Sequence, residues 1–378
     1  MSALVVAIEV KTNAELIPDR VSEFRRVAIL TRNSNEFNLE RAGSGFSRQT
    51  AVFVEESCMR ALVLNGTTVT FQADYPDPRA QPGSSLVRVT RAGVCETDLQ
   101  LVQGYMGFQG VLGHEFVGIA ESGPLAGQRV VGEINCNCRQ CPDCENGLGN
   151  HCAHRSVIGI LNHDGAFADR LVVPNHNLLA VPDSVTDDEA VFTEPLAAAF
   201  QIPEQIELKP DQTVTVLGDG RLGNLCAQVI AQSGCQLLVV GKHKAKLDRL
   251  RELNIDCVEL ADFQPGAGDE KVDVVVDCTG SKSGLQTALQ CVRPRGTVVL
   301  KTTVAAAPDF SLAPIVIDEI KVVGSRCGPF DRALEALQQQ SVEVQSLIAN
   351  RYPIEDGGAA MAQAAEPGVM KVLLDFAN

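Results

Sequence analysis

The stretch that most restricts how this chain folds is Thr213-Val214-Thr215-Val216-Leu217, followed directly by Gly218-Asp219-Gly220-Arg221-Leu222-Gly223. The first five residues read as a short buried strand. After the glycines, Leu222, Leu225, Cys226, Val229 and Ile230 recur at i, i+3, i+4, i+7 and i+8, the period of an amphipathic helix. A lone G-x-G-x-x-G marks no more than a turn, but between a strand and a helix it has a physical task. Gly218 permits the tight turn, Gly220 lets the backbone approach a pyrophosphate, and Gly223 permits close helix–sheet packing. The helix N-terminus then faces the phosphates.

Further strands are expected at residues 236–240, 272–277, 297–300 and 321–323. Leu247, Leu250 and Leu253 mark one intervening helix, and Leu285, Ala288, Leu289 and Val292 another. Strands alternating with helices imply right-handed crossovers and a doubly wound parallel sheet, a Rossmann domain.

In the dinucleotide-binding version of this loop, an acid about 20 residues on accepts hydrogen bonds from the adenosine ribose 2′-hydroxyl, and its charge repels a 2′-phosphate. Here that turn reads Gly241-Lys242-His243-Lys244, and no acid occurs from Cys235 to Leu247. Lysine binds phosphate as a point charge, and His243 can donate a hydrogen bond. NADP(H) is therefore expected in preference to NAD(H), against the blander reading of a solvated basic turn.

The half of the chain before this region has a different texture. From Met59 to about Phe192 short strands and loops dominate and helical periodicity is scarce, as in the alternation of Leu86-Val87-Arg88-Val89-Thr90. Two metal patterns sit in its loops. Cys95 and, nineteen residues later, His114 are a thiol and an imidazole, the ligands zinc prefers, and an open catalytic site needs three protein ligands. Thr97 is placed to accept a substrate proton, and Asp98 and Glu115 are suited to orienting a ligand. The second pattern is Cys138-x-x-Cys141-x-x-Cys144, then Cys152. Four thiolates so close together match a closed structural zinc site. Disulfides or an iron–sulfur cluster use the same residue type, but the neighbouring catalytic pattern favours zinc.

At 378 residues two domains are expected. Thirteen cysteines, five of them in zinc patterns, fit a reducing compartment and a cytoplasmic protein. A net charge of -15 disfavours nucleic acid as a partner. No apolar run reaches the roughly 18 residues of a membrane span. Residues 1–58 read as a weakly ordered extension, too rich in acids for a transit peptide. Met59 is a natural first residue of the folded part.

Taken together, Cys95-x-Thr97-Asp98, Gly113-His114-Glu115-x-x-Gly118, the four-cysteine lobe, Thr193-Glu194-Pro195-Leu196 and the glycine fingerprint resemble the zinc-containing medium-chain dehydrogenase/reductase, or alcohol dehydrogenase, superfamily, from about Met59 to the C-terminus. The resemblance implies a GroES-like β-rich catalytic domain over 59–195 and 329–378 and a Rossmann NADP(H)-binding domain over 196–328. It implies two zinc ions per chain, a homodimer or homotetramer, and hydride transfer between a small alcohol or carbonyl substrate and the nicotinamide, with Thr97 taking the proton. It also supplies a third catalytic zinc ligand, Glu194 or, in its place, Glu115. Gln100 stands near where many members carry a histidine that ends the proton relay, which leaves the relay's exit open. Two further readings share the architecture: a zinc-independent enone or quinone reductase, and a non-catalytic NADPH-binding protein.

Overall fold

The computed structural model describes residues 57–265, 271–302 and 311–376, together with the backbone of 30–33 and 36–39. The chain divides into two units, Met1–Glu55 and Glu56–Asn378. Within the first, Leu30–Asn33 pairs antiparallel with Glu36–Leu39. The expectation of weak order over 1–58 otherwise lies outside the described residues. The second unit opens on the strand Cys58–Asn65.

Its first part is built on a seven-stranded sheet ordered Leu178–Ala180, Arg129–Gly132, Glu115–Ala120, Ser84–Gly93, Lys371–Asp375, Ile348–Pro353, with Arg170–Pro174 also paired to Ser84–Gly93. A three-stranded sheet made from Cys58–Asn65, Thr68–Pro76 and Gly110–Val111 accompanies it. The central strand shows why: Ser85, Val87 and Val89 are fully or almost fully buried while Arg88 between the two valines is exposed, the alternation of an antiparallel strand with one face on the core.

The second part is a six-stranded parallel sheet, ordered across its width Asp256–Glu259, Gln236–Gly241, Thr213–Leu217, Val272–Asp277, Val292–Leu300, Lys321–Gly324. Numbered by sequence this is 3-2-1-4-5-6, the doubly wound order that places ligands at the carboxyl ends of the strands where the winding reverses. Gly218 has φ +115°, and a Cβ there would meet the Cys278 carbonyl at 2.6 Å; at Gly223 a Cβ would come 2.1 Å from the Gly218 carbonyl. Glycine is required at both for the loop to turn and the helix Arg221–Ala231 to pack.

Three details depart from the sequence expectation. Val292 does not extend the helix Gly284–Cys291 but starts the next strand, because Pro294 two residues on disfavours helix there. Asp256–Glu259 is an outer strand without clean alternation of buried and exposed positions, so periodicity did not reveal it. After Pro329 the helix Phe330–Gln338 packs on Thr193–Gln205, with the Arg332 guanidinium over the Phe200 ring. The chain rejoins the first sheet only at Ile348–Pro353.

Candidate metal and dinucleotide site

Strand pairing explains why Cys95 and His114 meet. Ser84–Gly93 and Glu115–Ala120 run antiparallel with Gly93 opposite Glu115, so the residue that leaves one strand and the residue that enters the other lie at the same sheet end. Asp98, fully buried, holds both: its carboxylate accepts the Cys95 N–H at 2.8 Å and the Gly113 N–H at 3.2 Å, and lies 3.4 Å from His114 Nδ1. That nitrogen faces Asp98 without a well-formed hydrogen bond. Ligand atoms of Cys95, His114 and Glu115 lie within 4.8 Å of one another. The Thr97 hydroxyl stands 3.8 Å from the Cys95 sulfur. Gln100 turns its amide to Glu96 at 3.1 Å.

Glu194, in the first turn of Thr193–Gln205, lies beside the triangle and outside it. Burial pushes its carboxyl up to about 7, a rise that His114 opposes and Glu115 reinforces. Burial disfavours a charged His114, but the charges of Asp98 and Cys95 outweigh it and hold the imidazole well above its ordinary value. Glu115 has its own counter-ion, Lys371, each side chain 1% exposed. Glu194 makes no ion pair among the described residues. A largely buried group of one thiol and three carboxyls around one imidazole and one lysine, with Cys95 and Glu194 half-buried, suits a divalent cation, which satisfies the donor set without protonating it.

The second cysteine group passes a stricter test. Cys141 Sγ is 3.6 Å from Cys144 Sγ and 3.7 Å from Cys152 Sγ, and Cys152 Sγ is 3.5 Å from Cys138 Sγ. Sulfurs about 2.3 Å from one tetrahedral zinc stand about 3.8 Å apart, whereas a disulfide closes to about 2.05 Å. A cluster of several irons would spread the sulfurs further. Backbone hydrogen bonds from Cys138 and His154 pull the Cys152 thiol down to about 6, whereas burial and the neighbouring thiols push Cys144 up to about 11, so a cation among them is what would hold all four as thiolates. The lobe is tied to the far end of the chain by Arg326, which donates to Asn150 O at 2.8 Å and Asn135 Oδ1 at 3.2 Å.

At the dinucleotide loop, Gly220 faces open space, and Leu222 and Gly223 lie in the first turn of the helix. The turn Gly241–Lys244 follows the neighbouring strand, as its sequence position implies. Here the fold adds an acid that the local sequence lacks. Asp219 accepts the His243 N–H at 2.5 Å and lies 3.1 Å from His243 Nδ1. A Cβ on Gly241 would come 2.5 Å from the Asp219 Cβ, so glycine admits this carboxylate. Lys244 is paired with Asp248 at 2.7 Å; Lys242 is exposed and makes no ion pair among the described residues.

Sequence reasoning missed Asp219, Lys246 and Lys371 as members of the site. Lys246 is buried in the first turn of Lys244–Glu252, its charge disfavoured by burial and supported by Asp219. A signal existed: Lys246 stands four residues before Leu250, on the apolar face. Lys371 begins a strand and shares a face with buried Leu373.

A parallel 3-2-1-4-5-6 sheet with a glycine loop, joined to a β-rich part carrying one open and one closed metal-ligand set, defines a metal-dependent dehydrogenase. Comparison with known proteins agrees. Residues 81–183 match the alcohol dehydrogenase GroES-like domain and residues 222–341 the zinc-binding dehydrogenase domain. The chain belongs to the zinc-containing medium-chain dehydrogenase/reductase superfamily, and is an oxidoreductase of the alcohol dehydrogenase type. It is 29% identical over 344 residues to a sorbitol dehydrogenase of Halalkalibacterium halodurans, covering 84% of this chain and 99% of that protein. Among solved structures it resembles an alcohol dehydrogenase from Thermus sp. ATN1 (TM-score 0.76, 28% identity, 84% of this chain and 99% of that one). It also resembles a zinc-binding dehydrogenase of Sinorhizobium meliloti 1021 bound to NADP (TM-score 0.74, 27% identity, 85% and 100%). Among the described residues no helix is long and apolar enough to cross a membrane.

Proposed function

We propose that the protein transfers a hydride between a small alcohol, or in reverse an aldehyde or ketone, and NADP(H), with one zinc at Cys95, His114 and Glu194 and a second at Cys138, Cys141, Cys144 and Cys152. The observation that carries this reading is the reach of a single side chain: Arg221, inside the glycine loop, donates to the carbonyl of Val94, the residue before Cys95, at 3.2 Å. The loop that carries Cys95 and the dinucleotide loop are therefore within the reach of one arginine side chain. A zinc-independent reductase or a non-catalytic binding protein has no use for a buried ligand triangle in that place.

When bound, the catalytic zinc acts as a Lewis acid toward the substrate oxygen, and the nicotinamide carries the hydride. The chain's own residues do the rest. Cys95 and His114 are held at one sheet end by Asp98, which limits their movement. Lys371 balances Glu115, so Glu194 is the carboxylate left to complete the ligand set, and Glu115 lies within reach of it. Thr97 stands next to Cys95, placed to take the alcohol proton, which leaves through water because Gln100 points away to Glu96.

The preference for NADP(H) is supported by the absence of an acid at Gly241 and by the exposed Lys242, which makes no ion pair among the described residues. With zinc-loaded protein and a panel of alcohols that includes polyols, kcat/KM should favour NADP over NAD. Lys242→Glu should reverse the preference, since exchanging a favourable charge near a phosphate for a repelling one costs several kcal/mol, roughly a hundredfold or more in the ratio. A wild-type preference for NAD would instead assign Asp219 to the ribose hydroxyls.

Assembly as a homodimer, or a tetramer made from two, is supported by the last strand of the parallel sheet. Lys321–Gly324 has no outer neighbour among the described residues, and Leu312, Val316 and Ile317 beside it are 62%, 74% and 77% exposed. Sedimentation velocity should find a dimer or larger, and Val316→Glu with Ile317→Glu should shift it to monomer; a monomeric wild type overturns this. Five of thirteen cysteines in ligand patterns suit a reducing compartment, and we place the protein in the cytoplasm.

A further inference from the structure

Arg221 is the first residue of the helix Arg221–Ala231, yet its side chain leaves the loop and crosses to the metal-bearing part of the protein. One terminal nitrogen donates to Val94 O at 3.2 Å and the other lies 3.4 Å from Glu96 Oε2. Val94 and Glu96 flank Cys95. The arginine side chain is only 14% exposed, whereas Glu96 is 64% exposed.

This arrangement raises an electrostatic problem. The N–H groups and dipole of the helix N-terminus favour an anion in front of Gly218–Gly223. Glu96, 3.4 Å from the first residue of that helix, brings a carboxylate to the same place, where it would repel a pyrophosphate. Asp219 adds a second negative charge on the loop's own side, and it is already engaged by His243 and lies near Lys246. The cation touching the Glu96 carboxylate is Arg221.

We infer that Arg221 is a positioning residue with two tasks, an inference that rests on reading Gly218–Gly223 as the dinucleotide site. In the free protein it neutralises Glu96. When a dinucleotide arrives, the planar guanidinium, with five donors in a fixed fork, turns toward the pyrophosphate while keeping its bond to Val94 O. Cofactor binding is thereby transmitted to the backbone on either side of Cys95. A lysine has the charge but not the fork, and bridges these partners less well.

The test uses the full-length, zinc-loaded protein and direct binding, read from NADPH fluorescence, with adenosine as a phosphate-free competitor. Arg221→Met should weaken NADPH binding roughly tenfold or more, the size of a lost charge-assisted contact, and Arg221→Lys should recover part of it. Adenosine should bind Arg221→Met as it binds wild type. Glu96→Gln should tighten NADPH binding, and more so when combined with Arg221→Met, because the repulsion is then unscreened. Melting curves of the cofactor-free variants establish that they are folded. Unchanged NADPH affinity in Arg221→Met, an equal loss for adenosine, or no gain from Glu96→Gln overturns the inference while leaving the dinucleotide site in place. A wild type that binds neither NADPH nor NADH overturns both.

Discussion

Cys95→Ser should purify folded, with about one zinc fewer per chain than the wild type, and with kcat lower by a factor of about 10³ or more. The factor follows from the several kcal/mol that a Lewis acid contributes to stabilising developing charge, at about 1.4 kcal/mol per tenfold. The fold should survive because Cys95 lies at the start of the short helix Glu96–Val102, beyond the end of its strand, and Asp98 accepts its backbone N–H rather than its sulfur. Thr97→Ala separates metal from proton: zinc should stay at the wild-type level while kcat falls about 10²-fold, within the range of general acid–base contributions, and Thr97→Ser should be tolerated. Metal analysis by mass spectrometry, paired with turnover, reads all of these. Wild-type kcat in metal-loaded Thr97→Ala would assign the proton to water alone. Unchanged zinc in Cys95→Ser would move the catalytic metal elsewhere.

Cys141→Ser should have a different consequence, lost stability. Three of the sulfur–sulfur separations already match those of a single tetrahedral zinc and all four sulfurs lie within 4.8 Å of one another, so zinc binding should require little rearrangement and its free energy should go into holding the lobe together. Around it are only the short helix Pro142–Glu145 and the single turn Gly149–His151, too little to form a core of its own. Removing one thiolate should cost several kcal/mol and lower Tm by roughly 10 °C. Because Arg326 docks on Asn150 O and Asn135, loosening the lobe should also expose the chain near residues 138–152 to protease. Calorimetry with and without a strong chelator, followed by limited proteolysis, tests this. A wild type with one zinc, or a Cys141→Ser protein that melts with the wild type, would remove the four-cysteine assignment.

The parts of this protein that were legible in its sequence are those specified by local rules. The strand, glycine turn and helix at Thr213–Ala231 follow from periodicity and from the absence of a Cβ at Gly218 and Gly223. The four-cysteine lobe follows from cysteine spacing, since four candidate ligands within one loop need no distant partner. The ion pair of Glu115 with Lys371 was not legible: its members are far apart in the chain and meet because their strands both pair with Ser84–Gly93. Neither was the hydrogen bond that the His243 N–H donates to Asp219, which depends on two parallel strands ending side by side.

The same division applies to the chemistry. Cys95, His114, the four lobe cysteines and the glycine loop stand out as candidates in the sequence because zinc and pyrophosphate restrict residue type and spacing over short distances. Which carboxylates stand near Cys95 and His114, which acid lies against the turn at Gly241 and how the glycine loop touches the metal loop depend on tertiary structure. Each depends on the charge of a residue brought in from another strand or helix: Lys371 beside Glu115, Asp219 beneath Gly241, Arg221 against Glu96. Electrostatic energy depends on distance in space, and separation along the chain does not encode it.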